Sequence, residues 1–139
     1  MNANDPVQRL STIACREHLT LGGMGMADFA LMLGAAALAF DDDKAMSERD
    51  VNERLIAWLD TVGAMLASDH VELRRWLVDN GVLARDGYGR VYTRGVPRPE
   101  IANAMASLVG HDLRAIVCDA RASHAQRREA RKAQWSQAR

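Results

Sequence analysis

A chain of 139 residues suits one compact domain with room for a projecting terminal helix. Hydrophobic residues make up 48% of it and aromatics 5%, with Ala, Leu and Arg plentiful, which points to a mainly helical protein able to bury a core. Net charge is zero, so whole-chain charge does not suggest nucleic acid; yet residues 1–70 carry 5 Lys+Arg against 11 Asp+Glu, and residues 71–139 carry 13 against 7. This asymmetry allows a one-sided electrostatic footprint, and equally head-to-tail packing or self-association.

Met1-Asn2-Ala3-Asn4-Asp5-Pro6 lacks the basic and apolar regions of a signal peptide, so a cytoplasmic bacterial protein is expected. Cys15 and Cys118 lie far apart and suggest no secreted disulfide framework. Asp5-Pro6 opens a helix by capping, with Pro at its first position. Val7, Leu10, Ile13 and Ala14 give that helix an apolar face, and it is expected over about 6–21. Gly22-Gly23 and Gly25 form a joint. Met26 to Phe40 is the most apolar stretch. The 12 residues from Phe29 to Phe40 are too few to span a bilayer, so a buried or interface helix is expected and a membrane partner is not. Asp41-Asp42-Asp43 lacks the spacing of a calcium loop and reads as a solvated loop.

Ser47 caps the next helix, with Asp50 in capping-box position. Its apolar stripe runs Val51, Leu55, Trp58, Leu59, Val62, Met65 and Leu66. Gly63 weakens this helix but need not end it. Ser68-Asp69 starts another, with Leu73, Trp76 and Leu77 buried and Asn80-Gly81 as its stop. Val82 to Arg85 reads as a strand, Asp86-Gly87-Tyr88-Gly89 as a turn and Arg90 to Arg94 as the returning strand. Pro97-Arg98-Pro99-Glu100 leads into a helix, Gly110 breaks it, and Leu113, Ile116, Val117 and Ala120 continue the stripe on the next. Beyond Arg121 the apolar pattern thins, leaving a basic helical segment. The architecture that follows is mainly α with a small β-hairpin: a winged-helix-like core over about 26–95, with added N- and C-terminal helices (99–138), in one domain of 1–139.

Three pieces resemble a bacterial domain-of-unknown-function family, number 2087, found alone or fused to helix-turn-helix transcriptional regulators. They are Ser47-Glu48-Arg49-Asp50-Val51-Asn52-Glu53, then Leu73 through Asp86, then Gly89-Arg90-Val91-Tyr92-Thr93-Arg94. The resemblance covers about 47–94. It implies a winged-helix-like fold in a regulatory setting and no known activity. Two departures stand out. Asp60 to Ala67 reads as an insertion that either lengthens the Ser47 helix or breaks it into a loop, and Tyr92-Thr93-Arg94 stands where the family often has Tyr-Trp-Arg.

The candidate function is a DNA-binding transcriptional regulator. In a helix-turn-helix the second helix enters the major groove, here the helix from Asp69. Arg74 and Arg75 on that helix, with Arg85, Arg90 and Arg94 on the wing, are the candidate residues toward double-stranded DNA. A homodimer would supply two half-sites, paired through the apolar N-terminal helix or the C-terminal helix. Against this, Asp69, Glu72 and Asp79 put negative charge on the same helix, and Arg74 and Arg75 could instead pair with Glu72, Asp79 or the preceding helix. The alternative is a protein–protein interaction or effector-sensing module of the same fold without DNA contact. The C-terminal arginines lie along nucleic acid or an anionic partner, or form a solvated face. Cys15 with His18, and His111 with Cys118, have no zinc-ligand spacing, so no metal or cofactor is expected. No phosphate loop, nucleophile elbow or zinc-protease motif is present, so no enzyme is expected.

Overall fold

The computed structural model describes residues 5–40 and 43–138. Among them the order is α1 (Pro6–Ala14), α2 (Met26–Ala37), β1 (Met46–Ser47), α3 (Glu48–Asp60), α4 (His70–Asp79), β2 (Leu83–Arg85), β3 (Val91–Arg94), α5 (Pro99–Leu108) and α6 (Leu113–Gln137). The protein is mainly α with a small antiparallel sheet ordered β1-β3-β2. No helix among the described residues is long and apolar enough to cross a membrane.

α2 is the centre. Every residue from Ala30 to Ala37 is buried, which is how an all-round apolar helix is satisfied in water. Its main cover is α5, and Gly34 sets how close the two come. A Cβ there would lie 2.8 Å from the Ala104 methyl and 3.3 Å from the Ile101 carbonyl oxygen. α3 and α4 add Val51, Leu55, Trp58, Leu73 and Leu77 to the same core, and the sheet adds Leu83 and Tyr92. Trp76 meets Phe29 of α2 edge to face, with ring centroids 5.2 Å apart.

The caps read from the sequence are present. Asp5 accepts from the Val7 amide. Ser47 and Asp50 make both halves of a capping box, at 3.1 Å and 3.3 Å. Asp69 accepts from the Glu72 amide at 2.9 Å.

Four features differ from expectation. The first helix stops at Ala14 rather than near residue 21. Arg121 of α6 donates to the freed carbonyls of Ala14 and Arg16, His18 takes a left-handed φ of 57°, and Leu19 is drawn into pairing with the chain at Met65–Ala67. The second difference is the other side of that pairing. α3 ends at Asp60, and Val62, Met65 and Leu66 lie in the following turns instead of extending its stripe. Gly63 permits this turn. Its Cα packs on the Trp58 indole so tightly that a Cβ would sit 2.4 Å from Cζ3. The stretch Asp60 to Ala67 is therefore helix end and turn, held to the α1–α2 connection by the Leu19 amide donating to Met65 (3.0 Å) and the Ala67 amide to Leu19 (2.7 Å). Third, the joint before α2 holds a turn of 3-10 helix, Leu21–Gly23. Fourth, the hairpin has a third strand, because Met46 and Ser47 pair with Tyr92 and Val91. Of the three consecutive aspartates, Asp43 is exposed outside any helix or strand, and Asp41 and Asp42 lie outside the described residues.

Candidate functional site

The helix-and-hairpin unit is built on the end of α4. Asn80 closes the helix, and Gly81, with φ of 81°, reverses it. The Gly81 amide donates to the Val78 carbonyl and the Val82 amide to Leu77, which is the Schellman pattern. A side chain at Gly81 would be strained twice, by the left-handed backbone and by the Val96 carbonyl oxygen, which would lie 2.2 Å from its Cβ. The Gly95 amide donates to Val82 and the Arg98 amide to Asn80, so both ends of the hairpin are tied to the end of α4.

β2 and β3 pair Leu83 with Arg94, Ala84 with Thr93 and Arg85 with Tyr92. Residues directly opposite share a face, and so do those two apart. Arg85 and Arg94 therefore stand on the sheet face whose inner part is buried Leu83 and Tyr92. Asp86 shapes the turn. Its carboxylate accepts from the Arg90 amide at 2.8 Å and the Val91 amide at 3.4 Å, and the Gly89 amide donates to its carbonyl. These amides, that of Arg90 foremost, hold the Asp86 carboxyl below the usual carboxylate range. The Arg90 guanidinium sits over the Tyr88 ring at 5.9 Å, and Tyr88 is almost fully exposed.

The five candidate arginines divide into two groups. Arg74 turns inward. It donates to the Asn52 side chain and pairs with Glu48 at 3.2 Å, both on α3, and only 17% of its side chain is exposed. This is the pairing with the preceding helix that the charge pattern allowed, though through Glu48 and Asn52 and not Glu72 or Asp79. Arg75, Arg85, Arg90 and Arg94 are exposed, as is Arg98 beyond the hairpin, and no carboxylate among the described residues pairs with them. Arg75 shares the outward face of α4 with Val71, Glu72 and Asp79, so that face carries more negative than positive charge. The cations brought together are those of the hairpin.

The sequence reading missed Asn52 and Glu48 as the seat of Arg74. The signal was faint: Glu48 and Asn52 are one helical turn apart and so share a face. It also missed Asp86 as the acceptor that organises the turn, although Asp before Gly is a residue type that bonds its own downstream amides. The cysteines sit apart from these cations. The Cys15 thiol faces the Ser11 and Ala120 carbonyls between α1 and α6, and Cys118 is exposed.

A groove of about 970 Å³ runs between α1, α2 and α5. Its walls include Met26, Leu31, Glu100, Asn103 and the Arg9–Asp28 ion pair at 2.7 Å. Hydrogen bonding by Arg9 lowers the Asp28 carboxyl below its ordinary value despite partial burial.

No curated protein and no solved structure matches the chain. A family model matches over the unit just described. Residues 27–94, from the start of α2 to the end of β3, match the model of an uncharacterised family of proteins conserved in bacteria, domain of unknown function 2087.

Proposed function

We propose that residues 26–95 form the winged-helix module of a bacterial transcriptional regulator, and that it holds double-stranded DNA chiefly through the hairpin. The order α2-β1-α3-α4-β2-β3 is the order of parts in a winged helix, which supports the fold half of this reading. The observation that carries the DNA half is the set of exposed arginines on the hairpin, Arg85, Arg90 and Arg94. Their neighbouring carboxylate, Asp86, is turned back onto backbone amides. Guanidinium groups on a rigid two-stranded ribbon suit phosphate contact, which sets affinity and its salt dependence. Arg75 joins them from α4. Arg74 has a structural task on α3, and the acidic outward face of α4 weighs against deep insertion of that helix into the major groove. A homodimer on two half-sites belongs to the proposal. Its interface would lie away from α2, which α5 covers.

The test is Arg90→Ala/Arg94→Ala. The double variant should bind mixed-sequence duplex at least about tenfold more weakly at low salt, with a slope of log affinity against log salt smaller by about 2. Unchanged affinity would remove the hairpin from the mechanism.

A second reading is an effector-sensing or protein-interaction module with no DNA contact. The internal pairing of Arg74 and the groove over α2 favour it. It predicts that the folded chain ignores duplex DNA at any salt.

A further inference from the structure

We infer that the outer part of α6 is a second DNA-contacting arm, which grips the phosphate backbone through Arg127, Arg128, Arg131 and Lys132. The inference rests on the DNA-binding reading and adds a contact outside the matched family segment.

α6 is anchored only at its start. Leu113 and Val117 are buried, Ile116 and Ala120 pack partly, and Arg121 locks the helix to α1. Arg121 donates to the Ala14 carbonyl at 2.9 Å and the Arg16 carbonyl at 3.2 Å, and pairs with Glu17. From residue 125 to 138 every residue is exposed. At 1.5 Å per residue this is roughly 20 Å of helix with every residue exposed. A helix of that length gains little by itself in water.

Its side chains say what would cover it. Arg127 with Arg131, and Arg128 with Lys132, are like charges one turn apart, an arrangement that destabilises a bare helix. Glu129 is the one carboxylate on this stretch, and it lies 3.8 Å from Lys132. The helix dipole does not account for the cations, because none falls in the last turn. A second copy is a poor occupant, since the stretch offers alanines and Trp135 where a helix pair needs a seam of Leu, Ile or Val, and two such helices repel. A membrane surface is a poor occupant for the same want of a broad apolar face. A polyanion relieves the repulsion and asks for no apolar seam. Duplex DNA is the polyanion that the hairpin arginines also fit.

The experiment compares the full chain with Arg127→Gln/Arg128→Gln/Arg131→Gln/Lys132→Gln, which keeps helix-forming residues at all four positions. Fluorescence anisotropy on a mixed-sequence duplex is read across salt, beside co-sedimentation with phosphatidylserine-containing vesicles and sedimentation equilibrium. The inference expects affinity at low salt to fall at least about tenfold, alike on every sequence, and the salt slope to shrink by up to about 3–4. Unchanged affinity and slope in this variant would overturn the arm. The DNA reading would still stand if Arg90→Ala/Arg94→Ala lost binding. Wild-type protein that ignores duplex overturns both. Tighter binding to vesicles than to duplex, or a dimer that the four substitutions dissolve, overturns the arm as well.

Discussion

Arg74 and Arg75 are neighbours in sequence and on a helix point about 100° apart, which is enough to give them different work. Arg74 bridges α4 to α3 through Asn52 and Glu48, while Arg75 faces solvent. Arg74→Ala should therefore cost stability, about 1–2 kcal/mol by urea denaturation, and leave DNA affinity within about twofold of wild type. A variant as stable as wild type that has lost DNA binding would reverse the assignment. Gly81 is the residue on which the hairpin's placement depends. Gly81→Ala combines a left-handed backbone with a clash against the Val96 carbonyl and should cost roughly 2–4 kcal/mol. A midpoint unchanged from wild type would mean the turn can be rebuilt some other way. Asp86 gives a pH test. Its folded-state carboxyl is shifted down by the Arg90 and Val91 amides, so its contribution is present above the unfolded carboxylate pKa of about 4 and is lost as pH falls through the folded value. Asp86→Asn keeps a side-chain acceptor and should lack that acid-side loss. Denaturation of both proteins across the acid range checks it, and identical acid sensitivity would deny Asp86 the role.

At the scale of elements, what the sequence made legible was local. Ser47 with Asp50, Asp69 with Glu72, and Asn80-Gly81 each carry their own chemistry within a few residues, and α3, α4 and their turn begin or end where those signals lie. The exposed arginines of the hairpin, Arg85, Arg90 and Arg94, were legible on residue type alone, since a long charged side chain is rarely buried unless it is paired. What was not legible depended on contacts between distant segments. α1 stops at Ala14 because Arg121, 107 positions away, takes its carbonyl, and α3 stops at Asp60 because Leu66 is claimed by Leu19. β1 is two residues long and exists only through its pairing with Val91 and Tyr92, so no periodicity could announce it. The inward turn of Arg74 is of this kind too. The contact of α2 with α5 is the strongest such case and is open to test. Ile101 is buried where α5 lies on Gly34, so Ile101→Ala should cost about 2–5 kcal/mol. A loss under about 1 kcal/mol would show that α5 is a loose cover and that α2 draws its stability from elsewhere.

For the whole molecule, a net charge of zero conceals an acidic first half and a basic second half. The excess positive charge sits on exposed positions of the hairpin and of α6, while Arg9, Arg74 and Arg121 are spent on ion pairs and helix ends within the fold. A chain arranged this way can approach a polyanion despite its neutrality, because screening over about 8–10 Å at ordinary salt lets each patch act locally. The most direct test is an anisotropy titration of the wild-type chain against mixed duplex fragments at low and at physiological salt. The account predicts binding at low salt that weakens steeply as salt rises, with some fragments held in preference. A folded chain that binds no duplex at low salt would contradict it.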